Sequence, residues 1–188
     1  MYRCFLIIGF LLSIIHSLNA QVACSSEDEK NIYWQPNAQI NFGDYKSQNF
    51  EDCHKYNEKY GMTSASSIGF RGVVDVPTKK RKLDKAYFAP VFCKNCSCIL
   101  SEDSLNLLVD RLLFDIAEIC TRNARKELQE LQKTMKIDNV NTMFFTTVNN
   151  KWEKQMRSFF AAVLRDIFIE KKNGAYEEWR KTADDLLK

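Results

Sequence analysis

The chain has 188 residues, of which 45% are hydrophobic and 27% are charged, and it contains 7 cysteines, 6 glycines and 3 prolines. These proportions exclude collagen, which needs far more glycine and proline, and a disordered chain, which has fewer large apolar residues. The formal net charge of +3 is too small to indicate a nucleic-acid-binding protein. The length suits one ordinary domain.

The first twenty residues have the pattern of a secretory signal peptide. Arg3 gives a positively charged start, an apolar run extends from Phe5 to Ile15, and Ala20 is the small residue that signal peptidase requires. The apolar run is shorter than the roughly 20 residues that span a bilayer. We therefore expect residues 1–20 to be a signal peptide and residues 21–188 to be a single secreted, extracellular domain.

Six cysteines follow the signal peptide, and an even number in an oxidising compartment predicts complete pairing. We expect three disulfides, without a preference among the possible pairings. The closely spaced Cys93, Cys96 and Cys98 could also be metal ligands, but a secreted chain favours disulfides, and we predict no metal and no cofactor. The predicted disulfide cysteines are Cys24, Cys53, Cys93, Cys96, Cys98 and Cys120.

Short helical and extended elements are predicted in the first part of the chain. The stretch Asn49 to Tyr60 fits a helix, with Gly61 as its C-terminal cap. Ser67 to Val76 alternates between apolar and polar residues, as a half-buried strand does, and Ala86 to Cys93 is a second strand. The two strands form a predicted β-hairpin. Pro90 predicts an edge position or a bulge for the second strand.

Helices dominate the second part. Ser101 is the predicted N-cap of a long helix that runs to about residue 133. Asn139 to Asn150 fits either a helix or a strand, and Asn150 could cap a second long helix with a broad apolar stripe. A glycine, Gly174, separates this helix from a short terminal one.

These elements together predict an α+β fold. The part from 21 to 100 is disulfide-stabilised and contains the β-hairpin, whereas the part from 101 to 188 is mainly α-helical. The helical part consists of two long helices and a short terminal helix.

The predicted hairpin loop carries the sharpest charge feature of the chain. Four consecutive basic residues occur there, followed shortly by a fifth. The loop could be a solvated tip that opposes edge-to-edge aggregation, a dibasic processing site, or a patch that binds an anionic glycan or an anionic membrane surface. The residues of this candidate basic patch are Lys79, Lys80, Arg81, Lys82 and Lys85.

An N-glycosylation sequon, Asn95-Cys96-Ser97, lies within the cysteine cluster. If Asn95 carries a glycan, the cluster must lie at the surface. Cys96, in the middle position, weakens the prediction of a glycan on Asn95, because it is also a predicted disulfide partner.

The chain offers few residues for catalysis. His54 is the only histidine after the signal peptide, and it follows Cys53 on a short polar helix, where a solvent-facing position is expected. Phosphate-binding loop, HExxH and EF-hand motifs do not occur. We therefore predict no catalytic residues and a function in binding.

The predicted function is that of a secreted, non-enzymatic binding protein, such as an extracellular ligand, inhibitor or effector, with an extracellular protein or receptor of unknown identity as its partner. The alternatives are a membrane-active toxin, a small secreted hydrolase, and a carrier of a lipid or small hydrophobic ligand. The carrier would have a cavity lined by the aromatic residues Phe144, Phe145, Phe159, Phe160 and Phe168.

Overall fold

The structure is a computed structural model that describes residues 27–75, 85–135 and 142–188. Within these residues it contains two small antiparallel sheets in the N-terminal part and four α-helices, three of them in the C-terminal part. Disulfides occur in the N-terminal part. The fold is therefore α+β, which confirms the predicted class.

Five strands form the two sheets. They are β1 (Asn31–Tyr33), β2 (Ser64–Ala65), β3 (Ile68–Asp75), β4 (Lys85–Cys93) and β5 (Cys98–Ile99). Strands β3 and β4 pair as the predicted hairpin, from Ile68 opposite Phe92 to Asp75 opposite Lys85. Strand β1 adds to the other side of β4, and β2 pairs with β5 in a separate two-stranded sheet.

The prediction that Pro90 marks an edge position or a bulge is wrong, because β4 is the central strand of its sheet and pairs with β3 residue for residue through Phe70 opposite Pro90. The Trp34 amide donates to the Pro90 carbonyl at 3.2 Å, so the backbone polar groups of Pro90 face the β1 side. The pairing of β1 with β4 ends next to this position, at Tyr33 opposite Val91. The missing N–H of Pro90 therefore leaves the pairing between β3 and β4 intact.

The four helices are α1 (Glu51–Tyr60), α2 (Ser104–Met135), α3 (Thr142–Leu164) and α4 (Ala175–Leu187). Helix α1 ends as predicted, because Gly61 takes the left-handed conformation, with φ of 72°, and its N–H donates to the Asn57 carbonyl at 2.7 Å. A glycine suits this position because it has no Cβ to oppose a positive φ.

The long helix α2 begins three residues after the predicted cap. Asp103 caps it instead of Ser101, because its Oδ1 accepts from the Asn106 amide at 2.8 Å. Ser101 is held by the residue that precedes β2, since the Thr63 hydroxyl donates to the Ser101 carbonyl at 2.9 Å. The chain must leave this contact before it can turn into the helix.

The ambiguous stretch before Asn150 is helical from Thr142, and α3 continues through Asn150 without a break. The expectation that Asn150 caps a fresh helix is therefore wrong. The burial of Phe145 and Val148, three residues apart, favours the helix over a strand. A π-helical turn, Arg165–Ile169, extends α3 toward α4.

Helix α2 is shared by the sheet and by the other helices. Its Leu112 lies in an apolar cluster with residues of α3 and α4, whereas Phe114 packs with Phe92 of β4. Farther along, Leu128 packs with Phe88 of β4. Burying each such side chain contributes about 1.5–3 kcal/mol. Helix α2 thus joins the hairpin to the helical layer.

Candidate functional site

One disulfide ties helix α1 to the second sheet. It joins Cys53 of α1 to Cys98 of β5, with 6.0 Å between the two Cα atoms and a sequence separation of 45. Both cysteines are buried and pack against Ala65 of β2. The bond therefore fixes α1 against the β2–β5 sheet, in the region that precedes α2.

A second disulfide, between Cys93 and Cys96, closes the short turn that carries the sequon. Asn95 is exposed at the tip of this turn. The Ser97 hydroxyl is buried, donates to the Cys93 carbonyl at 2.7 Å and accepts from the Ser67 amide at 2.9 Å. The side chain that would carry a glycan thus faces solvent, while the rest of the sequon holds the turn in place.

The expectation that all six cysteines pair needs a correction at Cys120. Cys120 is a free thiol in the structure, and it is buried in the apolar cluster between α2 and α3. Burial raises the pKa of the Cys120 thiol to about 11, so the thiol remains protonated and unreactive in the folded protein. Cys24, another predicted disulfide cysteine, lies outside the described residues.

The candidate basic patch lies mostly outside the described residues, because Lys79 to Lys82 fall in the segment that joins β3 to β4. The described strands define where that segment begins and ends, since Asp75 pairs with Lys85. The nine residues of β4 separate Lys85 from Cys93 by about 27 Å at 3.4 Å per residue. Lys85, the described member of the candidate patch, therefore lies far from the sequon turn.

His54 is exposed on helix α1. The neighbouring Cys53 is bonded to Cys98 and so is not available as a nucleophile. The sequence places no other histidine after the predicted signal peptide.

The aromatic residues of the predicted carrier cavity pack against the protein itself. Phe145 stacks on Phe88 of the hairpin, with ring centroids 4.4 Å apart. Phe144 contacts the same cluster, and three others contact the cluster between α2 and α3. Those three are Phe159, Phe160 and Phe168. Their contacts give the aromatic stripe a role in packing.

A buried carboxylate that the sequence analysis did not identify joins three parts of the fold. Asp110 of α2 is fully buried and accepts hydrogen bonds from three hydroxyl groups. The donors are Tyr45 at 2.6 Å, Ser64 at 2.8 Å and Ser66 at 2.6 Å. Tyr45 follows the turn after β1, and the serines lie in and after β2. The cluster therefore holds both segments against α2.

The electrostatics of this cluster follow from its burial. Loss of hydration raises the pKa of the Asp110 carboxyl, while the three hydroxyl donors oppose that rise. Burial and the nearby charge of Asp110 also raise the pKa of the Tyr45 phenol. One sequence signal could have revealed the cluster: Asn106 and Asp110 lie four residues apart and continue at helical spacing into Leu113 and Ala117, which are buried.

The chain matches no protein-family model, no curated protein and no solved structure. Function is therefore inferred from the residues of this chain alone.

Residues 27–75, 85–135 and 142–188 were also searched for metal-ion sites and for helices that could span a membrane. No group of three or more histidine, cysteine or acidic side chains in these ranges is arranged to hold a metal ion. No helix in the same ranges combines the length and the apolar character needed to cross a bilayer.

Proposed function

We propose that this chain is a secreted, disulfide-stabilised, non-enzymatic binding protein that contacts a polyanionic extracellular partner through the end of the β3–β4 hairpin. The observation that carries the proposal is the hairpin register, in which Asp75 pairs with Lys85. The nine residues between these two positions include four consecutive basic ones, Lys79 to Lys82. The hairpin end and these basic residues are therefore neighbours in the chain.

Chain geometry limits how far the basic residues can lie from the paired strand ends. At no more than about 3.6 Å per residue, the Cα atom of Lys82 lies within about 11 Å of Lys85. By the same limit, Lys79 lies within about 14 Å of Asp75. The positive charges therefore remain concentrated near one end of the hairpin, whatever conformation the connecting segment takes.

The paired strands of the hairpin pack against the protein core, and recognition loops are commonly positioned by a rigid scaffold of this kind. Phe88 of β4 meets Phe70 of β3 edge to face, with ring centroids 5.6 Å apart, and stacks on Phe145 of α3. The Arg125 guanidinium of α2 donates to the Phe88 carbonyl at 2.8 Å. These contacts attach both paired strands, β3 and β4, to the helices.

The charge pattern favours a polyanionic partner. Five of the seven residues from 79 to 85 are basic and one is acidic, whereas the whole chain carries a net charge of only +3. A concentrated positive patch attracts polyanions, and salt weakens that attraction. Heparin is a suitable probe because its fixed negative charges are closely spaced.

Secretion is supported by the signal-peptide pattern of the first twenty residues and by the two disulfides, which persist in oxidising compartments. The experiment that tests binding measures the salt concentration at which the purified protein leaves a heparin column. Neutralising Lys79, Lys80, Arg81 and Lys82 together is expected to lower that concentration.

A further inference from the structure

A polar cavity of about 470 Å³ opens beside strand β1. It lies between the segment that follows β1 and the short turn Phe42–Asp44. Its volume falls within the range of about 300–1,000 Å³ that is typical of small-molecule sites. Two residues that line it contact Lys94, which follows Cys93. The cavity is therefore at the opposite end of β4 from the basic segment and is distinct from the proposed hairpin site.

Side-chain amides recur at every second position along one wall of the cavity. Each amide offers two hydrogen-bond donors and an acceptor. Among the residues that the structure describes, no protein group hydrogen-bonds to the side-chain amides of Gln35, Asn37 and Gln39. These groups are therefore available to a ligand. The four amide residues are Gln35, Asn37, Gln39 and Asn41.

The cavity is also lined by two carboxylates whose charge is largely compensated. Glu27 and Asp44 both line the cavity, and both pair with the ammonium group of Lys94. The Lys94 side chain is only 3% exposed, so both carboxylates pair with a buried cation. One lysine against two carboxylates leaves a weak negative charge, which disfavours an anionic ligand.

The cavity also has a small apolar surface, contributed by Ile32 of β1 and by Ala38. Ile32 is buried in the core beneath β1, and Ala38 packs against the same cluster. A saccharide presents hydroxyl groups around its ring edge and C–H groups on its ring faces. Amides, carboxylates and a small aliphatic surface together match both kinds of group.

The wall that carries the amides is anchored to helix α2 at both ends. The Trp34 indole N–H donates to Asp115 at 2.6 Å. At the other end, the Arg111 guanidinium donates to the Ile40 carbonyl at 2.8 Å and to the Asn41 side chain at 3.2 Å. A wall that is already ordered loses little conformational entropy when a ligand binds.

We propose that this cavity binds a neutral saccharide, through hydrogen bonds with its row of amides, through sugar hydroxyls that donate to the Asp44 carboxylate, and through contact of a ring face with Ile32 and Ala38. The site is separate from the hairpin and takes a ligand of a different charge class. The chain would then have two binding surfaces, one for a polyanion and one for a neutral glycan.

The experiment is titration of the purified protein with glucose, galactose, mannose and N-acetylglucosamine, followed by isothermal calorimetry or by amide chemical shifts. The protein carries Asn95→Gln, so that a glycan on the chain itself cannot compete for the cavity. We expect saturable binding of at least one sugar, with an affinity that does not change between low and high salt, because the ligand is neutral. Asn37→Ala together with Gln39→Ala should weaken it at least about tenfold.

The matched control replaces two exposed amides on the long helices, Gln129→Ala with Gln155→Ala, and should bind as the parent does. Thermal unfolding of both variants shows whether they are folded. The proposal is overturned if no sugar binds, or if the control loses as much affinity as the cavity variant. Heparin retention is measured on the same variants, and the cavity variant should retain it, so failure of this site leaves the hairpin site separately testable.

Discussion

The ring of Phe145 occupies the space into which a Cβ atom on Gly72 would project. Gly72 lies in strand β3, and Phe145 lies in the first turn of α3. The same ring stacks on Phe88 of β4. The helix therefore approaches the hairpin closely because β3 has a glycine at this position.

This contact predicts that Gly72→Ala destabilises the protein. The added methyl group forces the Phe145 ring to move, and such overpacking costs about 1–3 kcal/mol. Gly69→Ala is the matched control in the same strand, because nothing lies within 4 Å of the Cβ that it would add. The free energy of unfolding, measured by urea denaturation, should fall for Gly72→Ala and stay near the parent value for Gly69→Ala.

A double-mutant cycle isolates the contact from other effects of alanine in a strand. Once Phe145→Ala has removed the ring, Gly72→Ala should no longer destabilise the protein further. If the two substitutions instead add, the ring is not what excludes a side chain at Gly72.

The buried carboxylate of Asp110 predicts a large effect of its removal. Asp110→Ala leaves the hydroxyl groups of Tyr45, Ser64 and Ser66 without their common acceptor. We expect a loss of about 2–5 kcal/mol in the free energy of unfolding. Asp185→Asn is the control: its carboxylate pairs with Lys188 at the surface, and the change should stay within about 0.5 kcal/mol. Equal effects of the two substitutions would show that the cluster does not stabilise the fold.

The same residue predicts a pH dependence with a defined direction. Burial raises the pKa of Asp110 above its ordinary value of 3.8, so the folded state holds this proton more tightly than the unfolded state does. The contribution of Asp110 to the free energy of unfolding therefore falls as pH rises from about 4 toward the pKa that Asp110 has in the folded protein. Urea denaturation of the parent and of Asp110→Asn across this range measures the effect. The free energy of unfolding of the variant, relative to that of the parent, should increase as pH rises.

Asp166 provides the opposite case in the same experiment. A hydrogen bond from Lys172, with further ones from Trp179 and Arg165, lowers the pKa of Asp166 to about 2. Its stabilising contribution is present above about pH 4 and is lost as pH falls toward 2. The advantage of the parent over Asp166→Asn should shrink over that acidic range. A constant difference would mean that these partners do not act on the carboxylate.

The state of the cysteines predicts a specific labelling pattern. Unreduced protein, unfolded in denaturant and treated with iodoacetamide, should be alkylated at Cys120 and should yield a linked peptide pair containing Cys53 and Cys98. Native protein at pH 8 should react slowly at Cys120, because burial raises its thiol pKa to about 11. A linked peptide containing Cys120 would contradict the free thiol.

The local elements of the fold could largely be predicted from the sequence. Helix α1 with its Gly61 cap and the β3–β4 hairpin form where the pattern indicates, because capping and alternation are local properties. Helix α2 also forms, but its start depends on a contact between Thr63 and Ser101, which lie 38 residues apart in sequence. Tertiary contacts of this kind are not encoded in a local pattern.

The candidate sites were less predictable for the same reason. The Asp110 cluster brings together hydroxyl groups from positions 44 to 65 residues away in sequence. The cavity beside β1 depends on ion pairs that Lys94 makes with Glu27 and Asp44, which lie far from it in sequence. The sequence could identify the basic segment, because its residues are consecutive, and it could identify the cysteines without their pairing.

The central claim, that the hairpin end binds a polyanion, is tested most directly on a heparin column with two variants of equal charge loss. One replaces Lys79, Lys80, Arg81 and Lys82 by glutamine. The other replaces four exposed lysines scattered over the helices by glutamine, namely Lys126, Lys133, Lys154 and Lys181. We predict that the hairpin variant elutes at a much lower salt concentration than the parent, while the scattered variant elutes close to the parent. Equal shifts for both variants, or no shift for the hairpin variant, would contradict the claim.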